Sequence, residues 1–272
     1  MKKLTIIYFF IILINYTNNS FQLSIFTSLN KQKRNKNISI SPLSIFQSFV
    51  LLANGANNET REEILKLLDD KELDEINIIY LKIISILKET SSLDISNIIM
   101  SRLSPIPDFI KLVKQSNFTQ IRPLKNIKQI NNLCEYTTNG KIKELFYELD
   151  DNTFMIILNL IQFKAYWTNP FFKELTSKRF FYNDKQIENV NMMRISGYFS
   201  YFEDSNIQVI KLNFLSEAIY SLIILPKKNI KINEFINMLE NNNEYLYTIY
   251  DNLKPTNINL EIPKFEIRYE KI

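Results

Sequence analysis

The sequence predicts an α+β fold in a single domain. Helical periodicity dominates the first half of the chain, whereas most of the second half alternates like short strands. Apolar residues make up 46% and aromatic residues 13% of the 272 positions, which is enough to build a hydrophobic core. No internal repeat or Gly- or Pro-rich linker divides the chain into smaller domains.

The N-terminus carries a short apolar run. Lys2 and Lys3 precede eleven apolar or weakly polar residues at positions 4–14, which is the length of a signal-peptide core and too short to cross a bilayer. We therefore predict a signal peptide over residues 1–18, a single domain over residues 19–272 and an extracellular protein. The alternative is a cytoplasmic protein in which this run forms an amphipathic or buried first helix.

Two helices are predicted before residue 56. The first covers residues 21–30, and the second begins after Ser41, which can cap it, with Pro42 at the first helical position. Gly55 is expected to end the second helix. The apolar face of that helix is predicted from Ile45, Phe49 and Leu52 at helical spacing, with Phe46 and Val50 beside them.

The next elements are also mostly helical. Thr60 and Glu63 have the spacing of a capping box and predict the start of a third helix. Further helices are predicted over residues 73–87, 108–115 and 127–138, with one strand over residues 93–100.

Residues 154–163 form a nearly unbroken apolar run. Such a run predicts a strand that is covered on both faces, in the middle of a sheet. Asn159 lies in its centre, and an unpaired amide there would cost about 1–3 kcal/mol. We therefore expect Asn159 to belong to a polar network under the sheet.

The remaining chain is predicted to be mostly strands. Strands are expected over residues 177–182, 190–193, 198–202, 208–214 and 218–225, and helices over residues 232–239 and 244–252. In the last strand, the apolar parity changes at Pro263. Because proline cannot donate to a strand ladder, we expect a bulge there.

Composition excludes several kinds of active site. The chain contains no histidine, which excludes Ser-His-Asp and Cys-His catalysis within it, and three glycines cannot form a Gly-rich phosphate loop. Cys134 is the only cysteine, so no intrachain disulfide can form, and its helical context indicates a small buried residue. We expect no enzyme, no metal and no cofactor.

Charge gives no sign of a polyanionic partner. The net charge is only +4, with both signs interspersed, so neither nucleic acid nor a membrane span is predicted. The helix predicted over residues 73–87 carries Asp74 and Glu75 but only Lys82 as a base, which does not support a polyanion site.

Seven short motifs follow one another in register. They are N-x-x-x-S-P-x-S from Asn37, I-N-x-x-x-x-x-x-T-x-G-K-I from Ile130, N-x-x-x-F-K-x-x-W from Asn159, F-x-x-x-x-T-x-x-x-F from Phe171, V-x-M-M from Val190, L-P from Leu225 and P-K-F from Pro263. In this order and spacing the chain resembles the serpin family. It departs from the family pattern at Leu133, Cys134, Leu160, Ala165 and Asn213.

The resemblance implies a fold and a mechanism. The fold would place N-terminal helices on a large, mostly antiparallel sheet, with smaller sheets beside it. Serpins inhibit serine or cysteine proteases: a reactive loop is cleaved and then inserts into the large sheet as a new strand. The resemblance assigns Ser41, Ser44 and Asn159 to the shutter, where the sheet parts, and Trp167 to the breach at the top of the strand.

The same resemblance places the reactive loop after the P-K-F strand, close to which the sequence ends at Ile272. We therefore expect a serpin domain that is incomplete at its C-terminus, without the reactive-site residue pair, and inert as an inhibitor. Three interpretations remain open. The chain is part of a longer protease inhibitor, or a truncated, non-inhibitory serpin-like protein that serves as a binding or decoy module, or an unrelated enzyme or binding domain with chance motif agreement.

Overall fold

The computed structural model describes residues 7–11, 19–32, 38–89, 93–115, 119–182, 187–215, 219–227, 230–242 and 244–265. In chain order the elements are β1 (Ile7–Ile11), α1 (Asn19–Gln32), α2 (Pro42–Gly55), α3 (Asn58–Leu67), α4 (Leu73–Lys88), β2 (Leu93–Ser101), α5 (Pro107–Gln115), β3 (Thr119–Pro123), α6 (Ile127–Thr137), β4 (Met155–Phe163), a 3₁₀ turn (Lys173–Leu175), β5 (Ser177–Tyr182), β6 (Ile187–Glu203), β7 (Ile207–Asn213), β8 (Tyr220–Pro226), α7 (Ile232–Asn241), α8 (Tyr245–Asp251) and β9 (Lys254–Pro263). Helices crowd the first half and strands the second, so the α+β prediction is confirmed.

The chain forms two compact units, one of residues 41–164 and one of residues 1–40 with 165–272. In the first unit, a sheet of order β3-β2-β4 packs against helices α2, α5 and α6. Helices α3 and α4 contact α2. Strand β2 runs parallel to β3 and antiparallel to β4. One apolar cluster joins β2 and β4 to α6, and a second joins β2 to α2 and α5.

Helix α2 begins and ends where the sequence predicts, and its buried face is partly the predicted one. Phe46 and Val50, which the sequence places beside the predicted stripe, are buried together with Ala53. Leu52 of the stripe is instead 42% exposed. Because α2 packs against helices α3, α4 and α5 and strand β4, its neighbours rather than its strongest apolar spacing decide which residues face the core.

The capping box predicted at Thr60 and Glu63 is wrong, because both residues lie inside α3. The helix starts at Asn58, and Asn57 caps it without a side-chain hydrogen bond. The Arg61 guanidinium holds this start from within the helix. Its Nε donates to the Ala56 carbonyl at 2.9 Å.

The structure at the end of α6 explains two residues of the motif that begins at Ile130, namely Asn131 and Gly140. Gly140 has φ +78°, in the left-handed region that favours glycine, and its N–H donates to the Glu135 carbonyl at 2.8 Å. Asn131 then holds the following loop, because its Oδ1 accepts from the N–H groups of Leu145 and Phe146, each at 3.0 Å.

Strand β4 covers the predicted apolar run, but it is less buried than expected. Of the β4 residues, only Leu158 and Leu160 are buried. Among the described strands, β4 lies at one end of its sheet rather than in the middle. Its neighbour on one side is β2, and the described part of the chain supplies no strand on the other.

The second unit contains a six-stranded sheet of order β1-β8-β7-β6-β5, with β9 also paired to β6. One face carries an apolar cluster with residues of α1, α7 and α8, and the other carries a cluster that includes Trp167 and Phe171. Strand β6 is continuous over 17 residues where the sequence predicts two strands. Its Gly197 is paired with Ile258 of β9, so the glycine does not end the strand.

The bulge predicted at Pro263 is wrong. Strand β9 pairs with β6 without interruption from Lys254 to Pro263 and ends at the proline. The predicted change of parity depends on Phe265, Ile267 and Tyr269, of which Ile267 and Tyr269 lie outside the described residues.

Candidate functional site

Ser41 and Ser44 form a hydroxyl pair at the start of α2. Ser41 is the N-cap: its Oγ accepts from the backbone N–H of Ser44 at 3.3 Å. The Ser44 hydroxyl also donates to Ser41 Oγ at 2.9 Å. These bonds satisfy a free donor at the helix start.

Gln47, one turn further along α2, is fully buried. Its Oε1 accepts from Asn97 Nδ2 of β2 at 3.3 Å and from Asn159 Nδ2 of β4 at 3.0 Å. Asn159 Nδ2 also donates to Asn97 Oδ1. We call these three residues the amide cluster; it ties one helix to two strands.

Two hydroxyl groups extend the amide cluster towards β3. Asn97 Nδ2 lies 3.5 Å from Thr119 Oγ1, and the same Thr119 oxygen lies 3.5 Å from the Tyr80 hydroxyl. Both distances are at the long limit for hydrogen bonds, so these contacts are weak. All five residues belong to the unit of residues 41–164.

The amide cluster is incompletely satisfied. Gln47 Nε2 and Asn159 Oδ1 are buried atoms without a hydrogen-bond partner among the described residues. A buried polar group in this condition costs about 1–3 kcal/mol. The amide cluster therefore contains one unpaired hydrogen-bond donor and one unpaired acceptor beside β4, the edge strand of the described sheet.

The network expected around Asn159 is present, and two of its members were not predicted. Gln47 interrupts an apolar helix face and Asn97 interrupts an apolar strand, which is the same signal that singled out Asn159. Among the described residues, no hydrogen bond joins Asn159 to Ser41 or Ser44. The connection runs through α2, on which Ser44 and Gln47 are three positions apart.

Trp167 lies in the other compact unit. Its ring stacks on Phe214 with centroids 4.3 Å apart and an interplanar angle of 17°. The two residues also form an isolated antiparallel bridge. Backbone hydrogen bonds of 2.9 Å on either side, from Thr168 to Asn213 and from Leu215 to Tyr166, hold the bridge in place.

No catalytic constellation emerges in the described part of the chain. Cys134 is buried, as predicted, and burial raises the pKa of its thiol, so the nucleophilic thiolate is disfavoured. The described residues contain no cluster of three or more side chains able to hold a metal ion. Nor does any described helix combine the length and apolarity needed to cross a bilayer.

Sequence comparison identifies related proteins over almost the whole chain. The family described as Serpin (serine protease inhibitor) matches residues 16–271. Serine protease inhibitor A6 of Xenopus laevis is 28% identical over 270 residues, covering 92% of this chain and 60% of that protein. Antichymotrypsin-2 of Bombyx mori is 29% identical over 272 residues, covering 93% of this chain and 71% of that protein.

Comparison with solved structures also finds similar proteins over most of the chain. The structure of human thyroxine-binding globulin with its reactive loop cleaved superposes with a TM-score of 0.82 at 26% identity, covering 93% of this chain and 79% of that one. The chain spans 60–62% of the length of the first three curated relatives.

Proposed function

Because the chain belongs to the serpin family, we propose that the protein of which it is part inhibits serine or cysteine endopeptidases. The observation that carries this proposal is the family match over residues 16–271. Relatives named as a serine protease inhibitor and an antichymotrypsin support it. In this proposal the protein acts as a bait for a protease rather than as an enzyme, and it needs no metal, cofactor, nucleic acid or polyanion.

The proposed mechanism is strand insertion. A protease cleaves a reactive loop, and the loop then enters the sheet that contains β2 and β4. Insertion of a serpin reactive loop is a known example of peptide recognition by strand addition. The position of β4 at the end of the described sheet supports this step, because its backbone can pair with an incoming strand.

We assign the shutter to Ser41, Ser44 and Asn159, as the family resemblance implies, and we add Gln47 and Asn97 to it. The amide cluster ties α2 to both strands, so a change in the spacing of the strands must rearrange its hydrogen bonds. Its spare donor and acceptor offer partners to groups brought in by a new strand. Trp167 is assigned to the breach, where its stacking on Phe214 supports a structural role.

We propose further that residues 1–272 alone do not trap a protease. The test is to incubate the 272-residue chain with trypsin-, chymotrypsin-, elastase- and papain-type proteases and to analyse the products on denaturing gels. An inhibitory serpin serves as the positive control. The expected result is degradation or no reaction; a covalent complex that survives detergent would overturn this part of the proposal.

The alternative is a serpin-like protein that binds a ligand or partner without inhibiting a protease. The similarity to thyroxine-binding globulin favours it, since that protein is named for binding thyroxine. Sequencing the transcript beyond the codon for Ile272 distinguishes the protease inhibitor from this alternative. A continued frame that encodes a hinge of small residues and a phenylalanine-rich closing strand supports the inhibitor, whereas a stop codon supports the alternative.

We propose an extracellular site of action, in line with the N-terminal apolar run. Cells that express the complete reading frame should release the protein into the medium. Retention in the cytosol would support the cytoplasmic alternative instead.

A further inference from the structure

Two of the three glycines follow an asparagine, in the dipeptides Asn54-Gly55 and Asn139-Gly140. In such a dipeptide the glycine amide nitrogen can attack the asparagine side-chain carbon Cγ, because glycine has no Cβ to hinder the approach. Asparagine is accordingly counted among the thermolabile residues of proteins. Both dipeptides lie at the C-terminal end of a helix, so the same sequence occurs in two comparable settings.

The Asn54 side chain is held by both of its polar atoms. Its Nδ2 donates to the Val50 carbonyl at 2.9 Å and to Asn77 Oδ1 at 2.7 Å. Its Oδ1 accepts from Asn77 Nδ2 at 3.0 Å, so the amides of α2 and α4 bind each other reciprocally. Asn54 is also half-buried and lies within α2. These bonds keep its Cγ from turning towards the Gly55 nitrogen.

The Asn139 side chain has no such restraint. It is exposed, and it forms no hydrogen bond with the residues that the structure describes. Asn139, with φ +52°, and Gly140, with φ +78°, both adopt the left-handed backbone conformation beyond the last residue of α6. Solvent therefore reaches the side-chain amide, and the dipeptide lies outside the helical geometry.

Hydrogen bonds at the end of α6 restrain the Gly140 nitrogen. The Gly140 N–H donates to the Glu135 carbonyl at 2.8 Å, and the Asn139 N–H donates to the Tyr136 carbonyl at 3.3 Å. Two bonds of this kind close many helices that end in a left-handed residue. The nitrogen is free to attack only while this helix end is open, and helix ends open at a lower cost in free energy than packed core.

We propose that Asn139 is a site of spontaneous deamidation in the folded chain and that the fold protects Asn54 from the same reaction. The Gly140 nitrogen attacks Asn139 Cγ and loses its proton, and the side-chain nitrogen leaves as ammonia, which gives a cyclic succinimide. Water then opens the ring at either carbonyl and yields aspartate or isoaspartate. The reaction needs no oxidant or cofactor, and the inference is independent of protease inhibition.

The products alter the connection between α6 and β4. Either product adds a negative charge beside the C-terminus of α6, where the helix dipole disfavours anions. Isoaspartate also adds a methylene group to the backbone within the stretch closed by the 3.0 Å bond from the Ile142 N–H to Thr138 Oγ1. Deamidated molecules, separated by ion exchange, should therefore melt at a lower temperature than unmodified ones, and equal melting temperatures would contradict this consequence.

The reaction can be followed at both dipeptides in one sample. The 272-residue chain is incubated at mildly alkaline pH, once folded and once unfolded in guanidinium chloride, and is then digested. Peptide mass and chromatography measure aspartate and isoaspartate at each site. Unfolded, the two asparagines should react at similar rates; folded, Asn139 should react at least about tenfold faster than Asn54, because its helix end opens more easily. Equal rates in the folded chain, or reaction of Asn139 only after unfolding, would overturn the proposal.

Two variants test the two restraints separately. Asn77→Ala removes the amide partner of Asn54 and should speed deamidation there while leaving Asn139 unchanged. Thr138→Val removes the hydroxyl that bonds to the Ile142 N–H and to the Cys134 carbonyl, and it should speed deamidation only at Asn139. Circular dichroism verifies that both variants are folded. Unchanged rates in the folded variants, or the reverse pattern, would contradict the assigned restraints.

Discussion

Asn97 and Asn159 lie directly opposite each other across the β2–β4 ladder, and their side-chain amides are hydrogen-bonded to each other. Both also donate to Gln47 Oε1 of α2. Gln47 therefore connects both strands to α2. The separation of the strands is coupled to the position of that helix.

Replacing Asn159 should destabilise the chain. Asn159→Leu removes the donor to Gln47 Oε1 and to Asn97 Oδ1, and the expected cost is about 1–3 kcal/mol. For a chain of this size, each kcal/mol lowers the melting temperature by about 2–4 °C. Thermal unfolding followed by circular dichroism measures the change. Asn152→Leu, at an exposed turn position, is the control, and an unchanged melting temperature for Asn159→Leu contradicts the prediction.

The cap of α2 should be measurable by itself. Ser41→Ala removes the oxygen that accepts from the Ser44 N–H, and loss of an N-cap costs about 1 kcal/mol. Ser48→Ala is the matched control, because the Ser48 hydroxyl only donates to the Ser44 carbonyl within the helix. Urea unfolding should show a lower midpoint for Ser41→Ala than for Ser48→Ala. Equal midpoints would mean that the cap contributes nothing.

Asp204 should make stability depend on pH. Burial by itself would raise the pKa of this carboxyl, but hydrogen bonds from the Tyr245 hydroxyl at 2.5 Å and from the backbone N–H groups of Asn206 and Ile207 outweigh it and lower the pKa. A folded-state pKa below the unfolded one stabilises the fold above the ordinary aspartate pKa of about 4, and this contribution is lost as the pH falls through the folded value.

The test compares the unchanged chain with Asp204→Asn by chemical unfolding between pH 7 and pH 3. The unchanged chain should be more stable at pH 7, and its advantage should shrink below about pH 4. Asp151→Asn, at an exposed aspartate outside this network, is the control. An advantage that stays constant over this range would contradict the assigned role.

Gly140 should resist replacement for a conformational reason alone. Its φ is +78°, and a Cβ added there meets no atom within 4 Å. Gly140→Ala therefore creates no clash with neighbouring atoms, and the expected loss of about 1–2 kcal/mol reflects the left-handed backbone. Gly140→Asn should lose less, because asparagine tolerates this region better. Thermal unfolding of both variants checks the order, and equal losses would contradict it.

Sequence patterns over short stretches were sufficient to predict much of the fold. The Ser41-Pro42 start of α2, its end at Gly55 and the bounds of β5 depend on residues close together in the chain, and the predicted and observed limits agree. The seven ordered motifs likewise identified the family, because their order and spacing are retained even where single residues depart from the family pattern. Asn159 could be selected because a polar side chain inside an apolar run needs partners.

Long-range pairing accounts for what could not be predicted. Gln47 meets residues 50 and 112 positions away, and no local pattern indicates which buried amides will share one oxygen. The buried face of α2 depends on the elements around it, and the start of α3 depends on the Arg61 side chain. The pairing of β1 with β8 likewise joins residues far apart in the chain, which no local pattern indicates.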